Sequence, residues 1–128
     1  MRALTSLAIA LSFASSLAVA AMQAPSANVQ TMAGILAKLN HFPNDAEKAT
    51  LGGIVKSETA TPHEKAVAQA LMTMQHSVSA ADKPKLEAIV KDQSAPPSVK
   101  TLADVLAKTT HTPSAAEKEA LTKLATGK

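Results

Sequence analysis

Apolar residues return along this chain in the same order at the same interval. Met32, Ile35, Leu36 and Leu39 fall at i, i+3, i+4 and i+7. Thirty-five residues later the same places hold Val67, Ala70, Leu71 and Met74, and after a further thirty-five Leu102, Val105, Leu106 and Thr109. That spacing draws one apolar stripe along an α-helix, with polar residues on the remaining faces. A second, shorter pattern follows each stripe: Leu51, Ile54 and Val55, then Leu86, Ile89 and Val90, then Leu121, Leu124 and Ala125. Two helices per interval are predicted, six in all.

The polar residues between the stripes supply start signals. Thr61-Pro62-His63-Glu64 offers an N-cap, a proline at the first helical position and a capping-box glutamate, and Pro25-Ser26 and Pro96-Pro97 stand at the matching places. The second helices open on Ser114-Ala-Ala-Glu117, Asn44-Asp-Ala-Glu47 and Ser79-Ala-Ala-Asp82, one capping box and two close variants. Two features oppose the pattern locally. Gly52-Gly53 costs its helix about 2 kcal/mol relative to alanine. Pro84 falls in a first turn and shifts that helix start toward Asp82.

The period makes the fold expectation an all-α domain of three tandem 35-residue helical-hairpin repeats, framed as 21–55, 56–90 and 91–125 within a single domain 21–128. One apolar stripe per helix cannot be buried inside a lone hairpin, so neighbouring units must cover one another. Six short helices arranged this way give either an open α-solenoid or a compact helical bundle.

Ahead of the first repeat, Arg2, an apolar stretch from about Ala3 to Leu17, and Ala18-Val19-Ala20 read as a secretory signal peptide cut near Ala20. The apolar stretch is broken by Ser12, Ser15 and Ser16 and is shorter than the ~20 residues a membrane span needs. A periplasmic or secreted protein is expected, with no membrane span in the mature chain. The absence of cysteine excludes disulfide and thiol chemistry. Without residues 1–20 there is no arginine, twelve lysines face ten carboxylates, and Phe42 is the single aromatic. Nucleic-acid readout depends on arginine forks and stacked aromatics, so it is not expected.

The candidate chemistry is sparse. No nucleophile elbow, phosphate loop or zinc-protease motif is present: His63-Glu64 begins the last of these, but Val67 stands where its second histidine belongs. A catalytic site, an enzyme activity and a cofactor are accordingly not expected. The recurring segment that starts at His41, His76 and His111 is the sharpest feature. It continues to Lys48, Lys83 and Lys118 and on to Leu51, Leu86 and Leu121. Each histidine lies where a first helix ends, and there an imidazole can bond terminal carbonyls or reach Glu47, Asp82 or Glu117. Stacked hairpins about 8–10 Å apart would hold equivalent histidines too far from one another to share an ion. Met72 and His76 form the other metal candidate, a thioether and an imidazole at i and i+4 that would suit copper, but no third ligand is in view; no metal site is assigned, and Met72, His76 and His111 stand only as minor candidates. The three lysines read as solvated residues whose stems cover apolar surface. The functional expectation is protein or peptide binding in the cell envelope; the alternative is metal binding through the repeated histidines.

Overall fold

The computed structural model describes residues 24–127 and is all-helical, with no strand among the described residues. The six helices are α1 (Ala27–Ala37), α2 (Asp45–Lys56), α3 (Pro62–Thr73), α4 (Lys83–Lys91), α5 (Pro97–Lys108) and α6 (Ala115–Ala125). Their starts follow the chemistry written in the chain. Ser26 accepts the Val29 N–H, and complete capping boxes join Asn44 to Glu47, Thr61 to Glu64 and Ser114 to Glu117. At Ser79–Asp82 only half a box forms. Ser79 Oγ accepts the Asp82 N–H, but the shorter Asp82 side chain takes the hydroxyls of Ser79 and Thr73 instead of reaching back to the N-cap N–H. With proline at position 84, α4 begins at Lys83. The N-terminal residues 1–23, which include the stretch read from sequence as a signal peptide and its expected cleavage point, lie outside the described residues.

The helices pair differently from the hairpins expected. Within one 35-residue unit the first and second helices barely touch. The second helix of each unit packs instead on the first helix of the next: α2 on α3, α4 on α5 and, most extensively, α6 on α1. The connection within a unit, Lys38–Asn44, carries the histidine turn, whereas the five residues Ser57–Thr61 fold α2 straight back onto α3. Pairing α6 with α1 closes the ring. An α-carbon substituent on Gly34 would meet the Ala125 methyl at 3.9 Å, and Gly127, at φ +76°, brings the chain end against Gln30. The architecture is therefore a closed bundle, with inner helices α1, α3 and α5 touching one another and outer helices α2, α4 and α6 filling the gaps.

The inner helices bury equivalent residues around an approximate threefold axis: Met32, Val67 and Leu102; Ala33, Ala68 and Ala103; Leu36, Leu71 and Leu106. Leu39, Met74 and Thr109 extend the core past the helix ends, Thr109 returning its hydroxyl to the Val105 carbonyl at 2.7 Å. The outer helices contribute Leu51, Ile54, Leu86, Ile89 and Leu121. The first turns of α1, α3 and α5 line one common recess through Val29, Glu64 and Val99, so these helices run parallel with their N-termini at one pole. Their C-termini, some 18 Å away at 1.5 Å per residue, meet at the other.

Candidate metal centre

At the C-terminal pole each inner helix is followed by a three-residue turn centred on a histidine. The N–H of Phe42 donates to the Asn40 carbonyl at 3.0 Å, that of Thr112 to the Thr110 carbonyl at 2.8 Å, and that of Ser77 to the Gln75 carbonyl. His41, His76 and His111 at the turn centres have φ of 74°, 61° and 68°, the only positive values among the described non-glycine residues. Closure from i to i+2 with a positive central φ is the rare, strained form of the γ-turn. Histidine enters this region more readily than most residues, yet an L side chain there still costs about 1–2 kcal/mol that glycine would avoid.

The three turns interlock through their backbones. His41 N–H donates to the His111 carbonyl at 2.7 Å, His76 N–H to the His41 carbonyl at 3.0 Å, and His111 N–H to the His76 carbonyl. This ring of peptide hydrogen bonds crosses the axis and leaves the imidazoles together on its surface. Ring centroids lie 5.2 Å apart for His41 and His76, 5.0 Å for His41 and His111, and 4.9 Å for His76 and His111. One ring nitrogen from each residue falls within 4.8 Å of the other two. His76 and His111 are exposed and His41 partly so.

This convergence overturns the spacing argument made from stacked hairpins. Neighbouring helix axes do stand a packing distance apart, but the residues after each inner helix turn inward to the axis, and the ring closes there. His76 and His111 are brought together with His41. Met72 is not: α3 ends at Thr73, so Met72 and His76 share no helical face, and the Met72 sulfur packs over Gly52 on α2. His63 is also elsewhere, its Nε2 2.8 Å from Asp92 Oδ2. Hydrogen bonds from the Ser94 hydroxyl and N–H, and from His63, hold the Asp92 carboxyl down at about 2. Nor do the imidazoles reach the carboxylates six residues on: Glu47 and Glu117 close capping boxes, and Asp82 is held by Ser79, Thr73 and Lys85.

Chemically the cluster is a face of three nitrogen donors with no carboxylate or thiolate among them. A tetrahedral ion with nitrogens at ~2.0–2.1 Å needs them roughly 3.3 Å apart, so each ring must move inward by about 1 Å, within reach of small side-chain rotations. His41 Nδ1 lies 2.7 Å from Asn40 Oδ1. That oxygen can only accept, so Nδ1 donates this hydrogen bond and in the neutral ring the lone pair falls on Nε2, the arrangement in which a neighbouring group orients a metal-binding imidazole. Three parallel helices also aim their negative dipole ends toward this pole, which favours a cation there.

The opposite pole shows the complementary electrostatics. Glu64 takes the place that Val29 and Val99 hold in the other units, and it is buried. Ser26 Oγ donates to its Oε1 at 2.6 Å, while Asn28 Nδ2 and the Thr61 N–H donate to Oε2 at 3.0 and 3.1 Å. Burial pushes its carboxyl up, but these three donors outweigh burial and hold it below the usual value of 4.5. The sequence marks Glu64 as a capping-box residue; that it also spans to α1 depends on a long-range juxtaposition. No family model matches the chain, and comparison with curated proteins and with solved structures gives no match either. Among the described residues, no helix is long and apolar enough to cross a membrane.

Proposed function

We propose that this protein binds one late transition-metal ion, copper or zinc, through His41, His76 and His111, and that it does so in the periplasm or outside the cell. The observation that carries the reading is the coincidence of convergence and strain: three imidazoles meet within 4.8 Å from three turns where glycine would be cheaper. Among the described residues the only side-chain hydrogen bond of these imidazoles is the one from His41 to Asn40, so none of them caps a helix end. The three turns have each kept an imidazole, while Phe42, Ser77 and Thr112 beside them have diverged. Neutral imidazole suits copper, zinc and nickel, and divalent affinity at a given nitrogen site rises to copper. The leader-like N-terminus supports the compartment. Peptide recognition through one continuous face of stacked hairpins is the other expectation; the histidine cluster is the more specific observation.

Titration of the purified protein with copper, zinc and nickel, followed by calorimetry and thermal unfolding, tests the reading. One ion per chain is expected, with copper tightest. Free metal at a hundred times Kd should add about 2.7 kcal/mol of stability, a rise in Tm of about 10–20 °C for a domain of this size. Binding weaker than micromolar, or binding that survives replacement of all three histidines by glycine, would refute it.

A further inference from the structure

The threefold arrangement around the histidines is broken on one side. Between the first and second units, Phe42, Lys48, Gln75 and His76 line a recess of ≈ 270 Å³. Phe42 is the only large apolar side chain exposed among the described residues, at 53%, and the Lys48 ammonium sits 5.4 Å from its ring centre. Lys48 makes no ion pair with a carboxylate of the described residues. On the next side Ser77 and Thr110 stand in place of Phe42 and Gln75, and with Lys83 they line a groove of ≈ 570 Å³ between α4 and α5 that His111 does not border. An aromatic ring, the ammonium lying over it and a side-chain amide are thus gathered beside His76, and the aromatic has no counterpart at the equivalent positions, which hold Ser77 and Thr112.

A divalent ion held by three neutral imidazoles keeps its full charge and at least one open coordination position, because the fourth corner of the tetrahedron faces solvent. We infer that this position and the Phe42 recess together form a site for a small aromatic carboxylate. One carboxylate oxygen completes the metal's coordination, the other meets the Lys48 ammonium and the Gln75 amide, and the ring of the ligand packs on Phe42. The inference rests on the metal reading above and specifies which external ligand the loaded site takes.

Copper-loaded protein titrated with benzoate and with acetate, followed by the copper visible spectrum, tests it. Benzoate should bind about fivefold more tightly than acetate, the scale of one aromatic contact. Phe42→Ser, which installs the residue found at position 77, should bring that ratio to about one, and Lys48→Ala should weaken both carboxylates several-fold; copper affinity should hold in both variants. Equal binding of benzoate and acetate by the wild-type protein, or a preference that persists in Phe42→Ser, overturns the inference while leaving the metal centre intact. Failure of the wild-type protein to take up copper overturns both.

Discussion

At His76 the backbone and the side chain have opposing interests. The φ of 61° disfavours any side chain, whereas a tri-imidazole site requires one. His76→Gly separates the two. Glycine relieves the turn by about 1–2 kcal/mol and gives back about 0.5–1 kcal/mol through a freer unfolded chain. Metal-free stability in denaturant should therefore stay within about 1 kcal/mol of wild type, while the Tm rise on adding copper disappears. A loss of several kcal/mol in the metal-free protein would instead make the imidazole a structural part of the joint. Residue type and recurrence at 41, 76 and 111 were readable in the chain. The left-handed φ was not, because it follows from three distant segments hydrogen-bonding to one another across the axis.

At the level of elements, the stripe at 32, 35, 36 and 39 and its two counterparts is buried throughout, and the capping boxes at Asn44, Thr61 and Ser114 form as written. Periodicity shows which face of a helix is apolar, not which neighbour covers it, so the pairing of α2 with α3 in place of α1 was beyond it. The same pairing sets Gly52 against Met72 without requiring glycine there. A methyl group on Gly52 would rest 3.7 Å from the Met72 sulfur, an ordinary contact, and one on Gly53 would meet nothing. Nothing in the structure explains either glycine. Gly53→Ala should therefore stabilise the protein by about 1 kcal/mol, visible as a Tm increase of several degrees with metal binding unchanged. An unchanged or lower Tm would show that α2 needs a flexible residue there.

For the whole molecule, three parallel inner helices make one pole suited to an anion and the other to a cation. The chain supplies its own anion, Glu64, buried among first-turn donors of α1 and α3. Its carboxyl is held below 4.5, so the folded state favours the ionised form. The stabilisation is fully present above that value and is lost as pH falls through the lowered one. Denaturant unfolding across acid pH should show this loss. Glu64→Gln should be less stable at neutral pH and flatter in its acid limb, since the amide cannot accept from all three donors. An acid limb identical to wild type would assign the pH dependence to Asp82 and Asp92, whose carboxyls are also held low.

What the sequence by itself determined is local or periodic. It set the six helices, their caps, the buried stripes and the recurrence of His41, His76 and His111, because each depends on residues within a turn or two of one another. The tertiary structure decided what those histidines do. Closure of α6 on α1 turns a linear repeat into a ring, and only in a ring do positions thirty-five residues apart come to a common axis, where three imidazoles become one set of ligands.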